Sequence, residues 1–132
     1  MARKRLQKER SPTIHELPPL RLACVFYRTD SGNEPVRDWL KEDVAAAPRR
    51  TIGGDIKTVQ ATWPIDKPLV DHLGPGLWEV RSTHDEVDYR VVFMLDGNAM
   101  VLLHGFSKGS AKPRRADVDL ALDRKARWEK MK

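Results

Sequence analysis

The spacing of hydrophobic residues changes along the chain, which predicts a mixture of strands and helices. Short runs rich in β-branched and aromatic residues predict strands at 20–27, 77–83, 87–95 and 99–107. Apolar residues at helical spacing predict helices at Pro35–Val44, Pro48–Thr62 and Arg114–Lys130. The order is therefore β-α-α-β-β-β-α. We expect an α+β fold in which helices pack on one face of a small antiparallel sheet.

Proline and glycine set the limits of the first two helices. Pro35 suits the first position of a helix, and Pro64 ends the second because proline cannot continue the hydrogen-bond ladder. Gly53 and Gly54 each weaken that second helix by roughly 1 kcal/mol relative to alanine. Close packing on a neighbouring element is the simplest reason to tolerate them.

Turn signals separate the predicted strands. Asp96-Gly97 lies between the two longest strands and predicts a type I′ hairpin turn. The segment 64–76 contains several prolines and glycines, which predicts a turn-rich connection. The three strands after this connection are therefore expected to form an antiparallel meander.

The 132-residue chain has a net charge of +5, unevenly distributed. Residues 1–10 hold five Lys/Arg against one acidic residue, and residues 104–132 hold nine against four. Residues 11–103 hold ten against fourteen. Basic ends around a slightly acidic body suit a polyanionic partner or an acidic protein inhibitor. We predict a flexible basic leader at 1–19 and a single domain at 20–132.

Two features bear on the compartment. No long apolar run follows the basic leader, which argues against a signal peptide or a transmembrane helix. Cys24 is the only cysteine and cannot form an intramolecular disulfide, which suits a reducing cytoplasm. We therefore expect a cytoplasmic protein without a membrane partner.

Basic residues on the last three strands form the candidate site. If these strands are neighbours, Arg81, Arg90, His104 and Lys108 lie close together on one side of the sheet. Arginine stays charged and makes bidentate contacts with phosphate, so Arg81 is the first candidate for stabilising phosphate charge and Arg90 the second. His104 is a candidate acid or base because imidazole normally titrates near neutral pH. Without a bulge, alternation along the last strand places on one face Met100, Leu102, His104, Phe106 and Lys108.

A structural role is the alternative interpretation of Arg81, Arg90 and His104. Glu79 and Asp88 are obvious ion-pair partners for Arg81 and Arg90, and composition alone favours such pairs over catalysis. A lone histidine such as His104 is more often a hydrogen-bonded core residue than a catalyst. Both interpretations stay open at this point.

A basic segment follows the last strand. Lys108, Lys112, Arg114 and Arg115 lie within a few residues of one another and are candidates for binding the phosphates of a polyanionic partner.

The sequence does not support metal or cofactor binding. His15, His72, His84 and His104 are far apart in the sequence and none forms a pair with ligand spacing. The glycines at 74 and 76 lack the strand-to-helix context of a phosphate loop. We expect neither a metal ion nor a cofactor.

Several short motifs lie along roughly residues 22–128. They are Pro35-Val36-Arg37-Asp38-Trp39-Leu40, Gly54-Asp55-Ile56, Trp63-Pro64-Ile65, Pro68-Leu69-Val70, Leu73-Gly74-Pro75-Gly76-Leu77-Trp78-Glu79-Val80-Arg81, Leu102-Leu103-His104-Gly105-Phe106-Ser107-Lys108, Ala121-Leu122-Asp123-Arg124-Lys125 and Trp128. In order and spacing they resemble those of the phage-derived HigB-type toxins of the RelE superfamily. The resemblance implies a RelE-like fold, a type II toxin that cleaves mRNA on the ribosome, and neutralisation by a cognate helix-turn-helix antitoxin. RNA supplies its own nucleophile in the 2′-OH, so such an enzyme can cleave it without a metal ion, and the basic segment would bind RNA phosphates.

The basic segment after the last strand departs from the family pattern. That family commonly has a further lysine after Lys108, where this chain has Gly109, although Arg114 and Arg115 supply charge nearby. A second functional class is therefore retained: a protein with the toxin fold that only binds nucleic acid, or a decayed phage gene product.

Overall fold

The computed structural model describes residues 20–108 and 114–132 and has the α+β class predicted from the sequence. In this part of the chain the strands are β1 (Ala23–Phe26), β2 (Val70–Gly74), β3 (Leu77–His84), β4 (Val87–Asp96) and β5 (Ala99–Ser107). The helices are α1 (Pro35–Glu42), α2 (Ala46–Thr62) and α3 (Arg114–Met131). Each predicted element is present, with ends no more than three residues from the prediction. The leader predicted at 1–19 lies outside the described residues.

The strands form one sheet in the order β1-β5-β4-β3-β2. Strands β3, β4 and β5 form the predicted antiparallel meander. Strand β1 instead runs parallel to β5, with Ala23 opposite Ala99, so the expectation of a purely antiparallel sheet is wrong. A parallel pair needs a long connection, which the elements between β1 and β5 provide.

The predicted turn-rich connection contains an additional strand, β2. It pairs antiparallel with β3, and Val70 lies opposite Val80. A register shift between His72 and Gly74 interrupts the pairing near its end. Because β2 begins opposite Val80, the remainder of β3 extends beyond the end of this edge strand.

The helices cover both faces of the sheet, so the expectation that they share one face is wrong. One core lies beneath α1 and α2 and includes Val36, Ile52, Val59, Val80, Phe93 and Leu102. The other lies beneath α3 and includes Leu77, Val92, Met94, Leu103 and Ala121. Strands β4 and β5 carry apolar side chains on both faces, and such strands need cover on both sides. No helix within the described ranges is long and apolar enough to cross a membrane.

A bulge in β5 changes which side chains share a face. Val92 lies opposite His104, whereas the next residue, Phe93, lies opposite Leu102, so Leu103 is the additional residue. His104 therefore faces α3 while Leu102 faces the α1 and α2 side. The predicted alternation assumed that no bulge intervenes, and the bulge breaks it after Leu102.

Two glycines are expected to respond to alanine substitution with opposite signs. A Cβ at Gly105 would overlap the indole ring of Trp39, which packs from α1 against β5. Gly105→Ala should therefore lower the free energy of unfolding by about 1–3 kcal/mol, as overpacking does. A Cβ at Gly53 would have no neighbour within 4 Å. Gly53→Ala should raise stability by roughly 0.5–1 kcal/mol because alanine is the better helix former.

Urea titrations of both variants measure these changes directly. Equal stability of Gly105→Ala and the wild-type protein would show that Trp39 moves aside at no cost. The space around Gly53 and Gly54 also corrects the expectation that close packing explains these two glycines, since neither position has a neighbour near its Cβ.

Candidate functional site

The two candidate arginines lie directly opposite each other on neighbouring strands. Arg81 of β3 is the register partner of Arg90 of β4. Both side chains lie on the face that α3 covers, because Glu79, on the same face of β3 as Arg81, contacts Arg114 of α3. The sheet therefore brings Arg81 and Arg90 together, as expected for basic residues on neighbouring strands.

Arg90 is held in a buried network of ion pairs. It is 3% exposed, and its Nε lies 3.6 Å from Oε2 of Glu79. A terminal nitrogen lies 3.9 Å from Oδ2 of Asp88, and another donates to the carbonyl of Tyr89 at 3.3 Å. Nε itself has no hydrogen-bond partner in the part of the chain that the structure describes. The structural role that the sequence left open therefore applies to Arg90.

The neighbouring charges shift the pKa of Arg90 in opposite directions. The pKa of Arg90 is lowered from its ordinary value, first because burial disfavours the charged form and also because Arg81 and Arg114 repel it. Glu79 and Asp88 act in the opposite direction. A guanidinium remains protonated at neutral pH even so. The result is a fixed positive charge beside Arg81.

Arg81 has no such network. Within the described residues, its side chain forms no hydrogen bond and no ion pair. It is half-buried and lines a cleft, while its backbone N–H donates to the carbonyl of Leu69 at 2.7 Å. Glu79 and Asp88 pair with Arg90 and not with Arg81. Arg81 thus lines the cleft with a guanidinium that has no ion-pair partner among the described residues.

Arg114 joins the start of α3 to the sheet. Its terminal nitrogen donates to Oε2 of Glu79 at 3.0 Å, and its side chain is 39% exposed. Glu79 is 2% exposed and is shared by Arg90 and Arg114, while its other oxygen has no hydrogen-bond partner among the described residues. Arg114 therefore has a structural partner in addition to the phosphate contact predicted for it.

The remaining predicted phosphate-binding residues lie at or beyond the end of β5. Lys108 and Arg115 are exposed, and the backbone N–H of Lys108 donates to the carbonyl of Asp88 at 2.7 Å. This bond fixes Lys108 close to the end of β4 that carries Arg90. Lys112 lies outside the described residues, so its role stays a prediction.

His104 forms a buried pair with an acidic residue of α3. Its Nε2 lies 2.8 Å from Oδ1 of Asp117, and the two residues are 6% and 1% exposed. The ring also stacks on Phe106, with centroids 5.4 Å apart. A carboxylate at this distance fixes the orientation of an imidazole.

Asp117 is the residue of this site that sequence reasoning missed. It occupies the stripe of α3 that also contains Ala121 and Trp128, which face the sheet. A charged residue at helical spacing within a buried stripe was the available signal. Burial of such a residue requires a polar partner, and His104 is one.

A cleft of about 360 Å³ lies beside Arg81, where β3 extends past β2. Strands β3 and β4 contribute Arg81, Thr83, Asp88 and Arg90 to its walls. Asp55 of α2 and the segment before β2, through Pro68 and Leu69, complete it.

Other reactive groups lie elsewhere. Burial raises the pKa of the Cys24 thiol to about 11, so it is not a nucleophile at neutral pH. His72 stacks on Trp78, and Nδ1 of His84 lies 3.1 Å from the hydroxyl of Thr51. No cluster of three or more potential metal ligands is present in the ranges that the structure describes.

Comparison with known proteins places the chain in a family. A protein-family model described as "Phage derived protein Gp49-like" (DUF891) matches residues 38–126, more than half of the chain. The chain therefore belongs to the phage-derived Gp49-like family. A search of curated proteins gives no match.

Proposed function

We propose that this Gp49-like protein is the toxin of a type II toxin–antitoxin system and cleaves mRNA on the ribosome without a metal ion. The observation that carries the proposal is Arg81, a guanidinium without a carboxylate partner in the described residues, which lies at a cleft and is backed by a second fixed charge on Arg90. Membership of a phage-derived family and the resemblance to HigB-type toxins support the same function. The proposed partner in the resting state is a helix-turn-helix antitoxin.

The proposed reaction uses the RNA as its own nucleophile. The 2′-oxygen attacks the adjacent phosphorus and loses its proton, while the bond from phosphorus to the 5′-oxygen breaks and that oxygen gains a proton. The products are a 2′,3′-cyclic phosphate and a 5′-hydroxyl. Arg81 stabilises the additional negative charge on the phosphoryl oxygens during this step.

Proton transfer is assigned to His104. An imidazole ring can serve as either a proton acceptor or a proton donor in catalysis, and Asp117 holds this ring in one orientation. The exposed side chains of Lys108 and Arg115, together with Lys112, would bind phosphates on either side of the cleaved bond. Arg114 would contribute through the exposed part of its side chain.

Cleavage products from a cell-free translation reaction test this proposal. The purified protein should cut a translated mRNA and leave 5′-hydroxyl ends, which polynucleotide kinase labels without prior phosphatase treatment. A 2′-deoxy nucleotide at the cut site should abolish cleavage there. Products with 5′-phosphate ends, or cleavage that survives the 2′-deoxy substitution, would contradict the proposal because both indicate attack by water.

A second function is favoured by one specific observation. Arg90 and His104 are both buried and both have acidic partners, as structural residues do. A non-catalytic protein that binds nucleic acid through the same basic face is therefore the competing proposal. RNA binding without cleavage, in a protein whose expression does not arrest growth, would favour it. Relief of growth arrest by a neighbouring helix-turn-helix protein would favour the toxin.

The exposed basic residues should control salt-dependent binding. Substituting Lys108 and Arg115 together by alanine should weaken binding to ribosomes and flatten the dependence of affinity on salt, because fewer counterions are released. The slope of log affinity against log salt should become shallower by roughly 0.7–0.9 for each phosphate that the variant no longer binds. Binding measured across a salt series gives this slope directly.

The same double variant should change thermal stability little, because both side chains are exposed. An unchanged salt slope would show that Lys108 and Arg115 lie away from the nucleic acid. Substituting Arg37 and Lys41 together by alanine removes two exposed positive charges from α1 and provides the charge-matched control.

A further inference from the structure

We propose that the cleft beside Arg81 binds a guanine nucleotide and that Asp55 recognises the base. This inference rests on the proposed action on RNA and names the nucleotide that the site selects. It is carried by the distribution of hydrogen-bond donors and acceptors around the cleft.

The two carboxylates of the cleft are engaged differently. Oδ1 of Asp88 accepts from the Thr83 hydroxyl at 2.8 Å, and its Oδ2 lies 3.9 Å from the Arg90 guanidinium. Oδ2 of Asp55 accepts from the buried Ser82 hydroxyl at 2.7 Å, and no described residue donates to its Oδ1. Ser82 therefore holds the Asp55 carboxylate in place, with an acceptor remaining for a ligand.

Among the four RNA bases, only guanine presents two adjacent donors, N1–H and the N2 amino group. These match Oδ1 of Asp55 and the second lone pair of Oδ2, whose other lone pair accepts from Ser82. Adenine and cytosine present an amino donor beside a ring nitrogen acceptor, which a carboxylate repels. Uracil presents one N–H between two carbonyl oxygens. A carboxylate that faces the base edge therefore selects guanine.

The rest of the cleft suits the other parts of a nucleotide. Pro68 and Leu69 provide an apolar wall for the face of a purine ring. Arg81 lines the same cleft and supplies the charge that a phosphate group requires. The base lies against α2 in this arrangement, and the phosphate lies towards the face of β3 and β4 that carries both arginines.

Nucleotide binding to the intact, isotopically labelled protein tests the proposal by NMR. We expect 5′-GMP to bind about tenfold or more tightly than 5′-AMP, 5′-CMP or 5′-UMP, since a mismatched base leaves the carboxylate unpaired. The amide signals of residues 81–83 should shift. Equal affinities for GMP and AMP would overturn the proposal and show that the cleft binds only phosphate.

A change of specificity assigns the recognition to Asp55. In Asp55→Asn the amide oxygen can accept from N1–H and the amide nitrogen can donate to a carbonyl, which matches xanthine in place of guanine. The variant should therefore bind xanthosine 5′-monophosphate more tightly than GMP, reversing the wild-type order. The same reversal in Asp88→Asn but not in Asp55→Asn would overturn the assignment.

The outcomes for the cleft and for the ribonuclease are separable. GMP selectivity in a protein that cleaves no RNA would support the cleft and reject the ribonuclease. Cleavage of RNA by a protein that binds GMP and AMP equally would reject the cleft and retain the ribonuclease. Loss of the folded spectrum in Asp55→Asn would leave the wild-type selectivity as the deciding measurement.

Discussion

Replacing Glu79 by alanine is expected to lower the free energy of unfolding by about 3–5 kcal/mol, the range observed when one partner of a buried ion pair is removed. Glu79 is 2% exposed and lies between the guanidinium groups of Arg90 and Arg114. Without it, Arg90 would remain buried beside Arg81. Among the described residues, only the partly exposed carboxylate of Asp88, 3.9 Å from Arg90, would then balance the two positive charges. Chemical denaturation of the variant and the wild-type protein measures this loss.

Asp88→Ala is the matched control, because it removes a carboxylate from the same arginine at an exposed position. The Asp88 side chain is 45% exposed and lies 3.9 Å from Arg90, so its loss should cost at most about 1 kcal/mol. Similar losses in Asp88→Ala and Glu79→Ala would contradict the assignment of Glu79 as the buried centre of the network. Glu79→Gln keeps the shape of the side chain and separates the effect of charge from that of packing.

Local sequence signals predicted most of the elements because each signal acts over a few residues. Pro35 begins α1, and Trp63-Pro64 follows the end of α2. The hairpin between β4 and β5 is confirmed, but only Gly97 of its turn has a positive φ, so the predicted type I′ geometry is wrong. The turn between β3 and β4 has the two positive φ angles, at Asp85 and Glu86, where the sequence contains no glycine.

Contacts between distant segments were not predictable in the same way. The direction of β1 depends on which strand it joins, and its composition carries no information about that partner. The sequence does not indicate the bulge at Leu103 either, because Leu102 and Leu103 are both apolar and both buried. That bulge turns His104 towards α3, where Asp117 meets it. The position of the candidate acid–base residue therefore depends on a feature that hydrophobic alternation cannot show.

The sequence ranks Arg81 ahead of Arg90 but does not decide which acidic residue pairs with which arginine, and the structure decides this. Glu79 and Asp88 follow the same alternation as the arginines, so each was a possible partner for either one. In the folded protein both acidic residues pair with Arg90. Arg81 lies directly across from Arg90 and has no acidic partner within 20–108 or 114–132. The difference arises from cross-strand geometry and burial, which only the folded sheet defines.

Replacing Arg81 by alanine is expected to reduce the rate of mRNA cleavage by about 100- to 1,000-fold, the range for loss of one group that stabilises transition-state charge. Its side chain forms no hydrogen bond or ion pair in the described residues, so thermal stability should change little. Removing it even relieves repulsion on Arg90. Cleavage rates in the translation reaction and melting temperatures should be measured on the same preparations, and growth arrest on expression should be lost in parallel.

A lysine substitution separates the bidentate geometry of Arg81 from its charge, and removal of an arginine on α1 provides the control. Arg81→Lys keeps the positive charge but loses bidentate geometry, so its cleavage rate should lie between those of the wild-type protein and Arg81→Ala. Arg37→Ala removes an exposed arginine of α1 and should leave cleavage unchanged. A folded Arg81→Ala protein that cleaves mRNA at the wild-type rate would show that Arg81 does not contact the reacting phosphate. Catalysis would then have to depend on the buried residues Arg90 and His104, each held by an acidic partner.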